Sequence, residues 1–277
     1  MGLRIGTNST SMMVQKNLQQ NGVEQQKSYN RLSSGSRISS AGDDPAGAAI
    51  SQNFNAEVRS LKQAERNAND GISFVQVAEG GLSEIGNLLI RLRELSVQSA
   101  SDTIGDKERS YVDKEYQGLK QEVDRIANTS EFNGTKLLNG KSSKSVLDFQ
   151  IGSKGTSNDR IQLSLKDYDV STASLGIDGI DSKSLESSRS ALESIDQAIS
   201  HVSDARAGLG GLQARLQSAT QTLSVTRNNV AEAYSRVADT DVAEETSKLT
   251  QKQILSQAGV AMLAQANASP QLALKLL

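Results

Sequence analysis

Cysteine and tryptophan are absent from this 277-residue chain, histidine occurs once, proline twice, and aromatic residues make up only 3% of it. Without cysteine there is no disulfide, no thiolate metal site and no cysteine nucleophile. The single imidazole, His201, cannot supply the two or three histidines that a thiolate-free zinc centre draws on, so no metal or other cofactor is expected. Scarce large rings argue against one deep globular core; the apolar 36% is mostly Leu, Ile, Val and Ala, which suits long, thin helical layers. Charge of one sign is lacking too. Thirty basic side chains against 32 acidic ones leave a net charge of -2, which removes the electrostatic basis for nucleic-acid binding. No apolar run reaches the roughly 18 residues of a membrane span. The opening MGLRIGTNST has no apolar stretch of the kind a cleavable secretory signal needs, so none is expected.

What is present is helical periodicity on either side of a short β-rich middle. Asp43-Asp44-Pro45 combines a capping carboxylate with proline at the first helical position. From there Phe54, Val58, Leu61, Ala64, Ala68, Ile72, Val75, Leu82, Ile85, Leu89 and Leu92 recur at steps of mainly three and four. An unbroken helix over about 45–100 would be roughly 80 Å long. A second helix is expected over about 106–128, with Val112, Tyr116, Leu119, Val123 and Ile126 as its stripe and Glu122–Arg125 on its wet face. Phe132-Asn133-Gly134 then signals a turn.

Between about 146 and 166 the period becomes two. Leu147, Phe149 and Ile151, then Ile161, Leu163 and Leu165, alternate with polar residues around a loop over Gly152–Arg160, which predicts a hairpin lying against the helices. The last long stripe runs through Leu192, Ile195, Ile199 and Val202, slips in phase near Gly208, Gly210 and Gly211, and resumes from Leu209 to Val237. Three helical glycines cost about 1 kcal/mol each relative to alanine, so their retention predicts close approach of a neighbouring helix.

The ends differ from the middle. Residues 8–30 are dense in Asn, Gln and Ser, with Met12, Met13, Val14, Leu18 and Val23 as apolar anchors. Toward the other end, Ile254, Leu255, Ala258, Val260, Met262, Leu263, Leu272, Leu274, Leu276 and Leu277 make the chain apolar around much of its circumference. A lone soluble molecule cannot leave such a surface in water, and neither end is patterned well enough to stand as an isolated helix. The ends are therefore expected to order on assembly with copies of the chain.

Both ends also resemble the bacterial flagellin family. The resemblance is carried by Asn30–Gly35, Arg37-Ile38, Ala41–Gly47, Arg66–Ser73 and Arg93–Ala100, and later by Gln253–Gly259 and Leu263–Asn267. It implies a mainly α fold, a long antiparallel coiled-coil-like bundle with one small β-hairpin region, whose terminal helices pair in an assembled filament. Its implied layout is a D0 helix and spoke at 1–44, D1 helices and hairpin at 45–165, a short linker at 166–184 in place of variable outer domains, a D1 helix at 185–237 and a D0 helix at 238–277. The implied function is a non-enzymatic structural subunit of an extracellular filament. The implied partners are other copies of the chain, an export chaperone on the C-terminal helix, the flagellar type III export apparatus, and the hook-associated junction and cap proteins. A hook–filament junction protein shares the terminal helices and stands as the alternative; agreement at both ends favours the filament subunit.

Family members sensed by the innate immune receptor TLR5 present an Arg, a Leu and a Glu on the two D1 helices, which the resemblance carries onto Arg91, Leu95 and Glu115. Arg91 and Leu95, four apart, share a helix face; subunit contacts or solvated charge are the competing readings of this patch. Asp43-Asp44 reads as a helix cap beside a loop acid, for want of a partner nucleophile or ligand set. His201 reads as an edge imidazole, and the 208–211 glycines lack the strand and Lys-Ser/Thr of a phosphate loop.

Overall fold

The computed structural model describes residues 7–142 and 144–274, with side-chain surroundings to residue 268. Five helices carry the chain: α1 (Ser9–Ser34), α2 (Pro45–Ser99), α3 (Asp106–Thr129), α4 (Leu185–Ala238) and α5 (Val242–Leu274). Two antiparallel two-stranded sheets lie between α3 and α4, one from β1 (Glu131–Phe132) and β2 (Thr135–Lys136), the other from β3 (Val146–Gln150) and β4 (Arg160–Ser164). Compactness divides the chain into a unit spanning Arg59–Asn228 and a terminal unit of residues up to Val58 together with Asn229 onward. The divisions fall inside α2 and α4 and not at the helix ends.

In the 59–228 unit, α2 places Leu82, Ile85, Leu89, Leu92 and Leu95 in a fully buried row, met by Ile195, Val202, Leu209 and Leu216 of α4 and by Val123 and Ala127 of α3. Three of the four phenylalanines join where the strands reach α2. Phe74 meets Phe132 and Phe149 edge-on, with ring centroids 5.8 and 5.7 Å apart, the arrangement that ring quadrupoles favour. Gly71 makes this approach feasible, since a Cβ there would lie 3.0 Å from Phe149 and 3.2 Å from Leu216. The β3–β4 register sets Phe149 opposite Ile161 and Leu147 opposite Leu163, so their apolar alternation faces the helices. Asn133 and Gly134, both at positive φ, close the tight β1–β2 turn.

The glycines of α4 do not bring a second helix backbone close, contrary to the expectation from sequence. A Cβ at Gly208 would meet the Tyr168 hydroxyl at 2.8 Å, so that glycine makes room for a phenol; Gly210 and Gly211 border open space.

The buried face of α3 is Arg109, Asp113, Tyr116, Lys120, Val123 and Ala127, a four-three alternation that includes three charged residues. Val112, Leu119 and Ile126 of the expected stripe are only half-buried. Each buried charge has a backbone task. Arg109 donates to the carbonyls of Ser99, Ser101 (3.1 Å) and Ile104 (2.8 Å), closing the end of α2 and the loop after it. Lys120 donates to the carbonyls of Asp178 and Ile180 (2.9 Å), and Asp113 accepts the Ser182 N–H at 3.0 Å. One turn on, Asp124 accepts from the Thr172 N–H and hydroxyl at 2.9 and 2.7 Å. The 166–184 segment is thus strapped along α3, with Val170, Leu175 and Ile177 buried beneath it.

In the terminal unit, Asp44 accepts the Gly47 N–H at 2.9 Å, which makes it the cap of α2 with Pro45 in the first turn. Asp43 accepts from Ser39, and from Ser40 through both hydroxyl and backbone N–H; the Ser39 bond first, then those from Ser40, hold its carboxyl below the usual range. Where α1 and α4 end, Ser36 bridges Asp239, with Arg37 N–H on Ala238 O at 2.7 Å and Thr240 N–H on Gly35 O at 2.9 Å. This clasp joins the two chain segments at the base of a terminal helix pair.

Burial pushes the Tyr116 phenol up to about 12. A folded-state value above the unfolded one of about 10 contributes stability that is complete below pH 10 and is lost between pH 10 and 12. Urea titrations of the parent should lose about 2–3 kcal/mol across that window. Tyr116→Phe should remove this dependence, and an unchanged alkaline slope would contradict the burial of the phenol.

Candidate functional site

Helices α1 and α5 run antiparallel against each other, and their facing residues recur in heptads. On α1 a regular row of buried and half-buried positions runs through Ser11, Val14, Leu18, Asn21, Gln25, Ser28 and Leu32, with Arg31 half-buried beside it; on α5 the matching row is Glu245, Leu249, Lys252, Ser256, Gly259, Leu263 and Ala266, with Gln253 and Ala268 half-buried beside it. Both rows step by alternating threes and fours, the seam of a two-stranded coiled coil. Half of these fourteen row positions are polar, while Val14, Leu18, Leu32, Leu249, Leu263 and Ala266 supply its apolar part. Ser28 donates to Glu245 at 2.6 Å, Gln25 to the Lys252 carbonyl at 2.9 Å, Asn8 to the Ala266 carbonyl at 2.8 Å and Ser11 to Asn267 at 2.9 Å. Leu18 fills the gap at Gly259, where a Cβ would lie 2.7 Å from it.

A second set of apolar side chains points the other way. Met12 and Met13 on α1 are 62% and 60% exposed, and Val23 is exposed as well; on α5, Ile254, Val260 and Met262 are 59–60% exposed, with Leu255 and Ala258 also outward. Only Leu263 of that expected surface turns toward α1. Met12, Met13 and Val23 are therefore not anchors within the molecule. Leu276 and Leu277 lie outside the described residues, as do the side chains of Leu272 and Leu274. Along α5, Ala243, Thr246, Thr250, Ile254 and Leu255 line a shallow groove on the outer side. The terminal pair thus divides its apolar side chains between a half-polar seam and an exposed outer set, which is more than an isolated hairpin should leave in water.

In the 59–228 unit the structure brings Arg91 and Glu115 together and sets Leu95 apart. Arg91 Nη2 lies 2.8 Å from Glu115 Oε1, Nε 3.1 Å from the same oxygen, and Nη1 3.0 Å from Glu94 Oε2. The bond to Glu115, then that to Glu94, raises the guanidinium's affinity for its proton. Arg91 and Glu115 are both about half exposed, whereas Leu95 is 1% exposed in the core row. The apolar residues that are outward beside the ion pair are Ile90 and Val97, which with Arg93, Glu94 and Gln98 border a shallow groove. A four-residue step from Arg91 leads to buried Leu95, whereas a heptad step from Ile90 finds exposed Val97.

The profile of the bacterial flagellin N-terminal helical region matches residues 5–143, and that of the C-terminal helical region matches residues 192–277. The chain belongs to the bacterial flagellin family. It is 39% identical to a flagellin of Halalkalibacterium halodurans over 273 residues, covering 99% of each chain. It is 38% identical to the flagellin of Bacillus subtilis, over 99% of this chain and all of that one, and 38% identical to a flagellar filament core protein of Brachyspira hyodysenteriae, over 99% of each. The structure resembles a Bacillus cereus flagellin crystal structure (28% identity, TM-score 0.52, 61% of this chain and 94% of that one). It also shares its fold with a structure described as a putative flagellar hook-associated protein from Vibrio parahaemolyticus (16% identity, TM-score 0.58, 71% of this chain and all of the other). Full-length agreement with flagellins and filament core proteins favours the filament subunit over the junction protein. The flagellin family is one of structural proteins.

The division within the Arg91 patch has a direct consequence. Leu95→Ala should lower flagellin stability by about 2–5 kcal/mol through the cavity it leaves. Arg91→Ala should leave the urea midpoint unchanged, because its ion pair is exposed. Equal sensitivity of the two positions would contradict the burial described here.

Proposed function

We propose that this flagellin is the structural subunit of an extracellular flagellar filament, and that α1 and α5 become stably ordered when copies cover their outer faces. The observation that carries this reading is the exposed apolar set on the outer faces, Met12, Met13, Val23, Ile254, Val260 and Met262, on a helix pair whose seam is half polar. Covering each such side chain adds about 1.5–3 kcal/mol, against an ordering cost of about 1–2 kcal/mol per residue of backbone. Many neighbours must therefore contribute at once, as they do in a helical polymer. On this reading residues 1–44 and 238–277 form an inner layer, and 45–165 with 185–237 the layer around it. The strapped 166–184 segment takes the place of outer domains.

The same exposed surface accounts for the remaining partners of the proposal. An oily α5 needs a cytoplasmic chaperone before passage through the flagellar export apparatus, and the filament's ends need hook-associated junction and cap proteins to seat it. Recognition by TLR5 would rest on Arg91 and Glu115 with Ile90 and Val97 beside them, and Leu95 would support the patch from beneath.

Purified protein seeded with filament fragments should elongate them under negative-stain microscopy. Ile254→Ser with Met262→Ser should stop elongation while leaving monomer helicity intact; elongation at the parental rate would overturn the role given to α5. In a receptor assay Arg91→Ala should weaken TLR5 signalling, and an undiminished response would remove that assignment.

A further inference from the structure

The Ser36–Asp239 clasp ties the two helices only at their base, and beyond it a half-polar seam discriminates weakly between alignments along their length. Only slips of a whole heptad keep the seam facing inward, because any other slip rotates it out. In α1 and α5 the charged residues at the seam and its margin are themselves a heptad apart: Glu24 and Arg31 on one helix, Glu245 and Lys252 on the other. In the observed alignment Arg31 faces Glu245 (Nη1–Oε2 3.8 Å) and Glu24 faces Lys252 (Oε2–Nζ 3.6 Å). Sliding α5 one heptad in one direction sets Lys252 opposite Arg31. Sliding it the other way sets Glu245 opposite Glu24. Both slipped alignments bring like charges together, and both withdraw buried Glu245 from the Ser28 hydroxyl.

We propose that Glu24, Arg31, Glu245 and Lys252 form a charge code that fixes the register of the terminal helices by penalising both one-heptad slips. The quartet acts as a specificity determinant, since single exposed pairs add little stability while a change from attraction to repulsion discriminates between alignments. Its consequence is positional. Register decides where Met12, Met13 and Val23 stand relative to Ile254, Val260 and Met262 on the outer face, so one alignment presents one surface to every neighbouring copy. This role rests on the filament reading, but the register itself is a property of one chain.

The absence of native cysteine makes a disulfide ruler available. Asn21 and Ser256 stand at matching seam positions between the Gln25–Lys252 and Leu18–Gly259 contacts, so Asn21→Cys with Ser256→Cys reports the observed register. Asn21→Cys with Leu263→Cys reports the slip that places residue 252 opposite Arg31. Adding Lys252→Glu should lower the yield of the 21–256 cross-link at least about threefold and raise that of the slipped reporter, because the new carboxylate repels Glu24 and suits Arg31. Adding Glu24→Lys to Lys252→Glu should restore the observed register. Unchanged yields in the single reversal, or no recovery in the double, would overturn the code; if Lys252→Glu fails to assemble, recovery of the 21–256 cross-link in the double reversal still decides. A parent reporter that cross-links in register yet never elongates seeds would count against the filament reading alone.

Discussion

The α1–α5 seam constrains the rest of this flagellin. Hydrogen bonds between Ser28 and Glu245, Gln25 and the Lys252 carbonyl, and Ser11 and Asn267 exchange protein partners for water at modest net gain. Together with half-buried Leu18, Leu32, Leu249 and Leu263 they supply only part of the burial that normally offsets chain entropy. Further burial potential sits on the opposite faces of the same helices. A sequence arranged this way is ill suited to a stable single molecule and well suited to a packed array, in which a neighbour covers each outer face.

The 59–228 unit is held together differently. Its core row of leucines and isoleucines on α2 and α4 is continuous and needs no partner. Its buried charges are employed on backbone. Arg109 satisfies carbonyls at the end of α2, and Lys120 and Asp113 hold the 166–184 strap, so directional bonds offset the desolvation of the buried charges. The strap's apolar residues then complete the layer, which explains how so short a connection between hairpin and α4 can be ordered without a domain of its own.

Much of this was legible in the sequence, and the failures share a cause. Helix limits followed from Asp44-Pro45, from Asn133-Gly134 and from the switch to period two at Leu147, because each is a local signal read one residue at a time. The resemblance in both terminal regions identified the family. What escaped was wherever burial and polarity part company. Arg109, Asp113 and Lys120 escape the period-three-and-four reading of α3 because it follows apolar residues alone. Met12, Met13 and Val23 read as anchors because apolar residues are expected inward. The resemblance carries Leu95 into the patch and the four-residue spacing supports it, although the core row running from Leu82 through Leu92 reaches Leu95 next. A heptad search that admitted serine, glutamine and glycine would have found the α1–α5 seam.

Amide hydrogen exchange, compared between dilute monomer and assembled filament, tests the central claim most directly. Covering by copies predicts that amides of α1 and α5 exchange within seconds in the monomer and become protected by about a thousandfold or more in the filament, while the α2–α4 core row is protected in both. Equal, strong protection of α1 and α5 in the lone molecule would contradict the account, because the polar seam would then suffice to hold the terminal helices by itself.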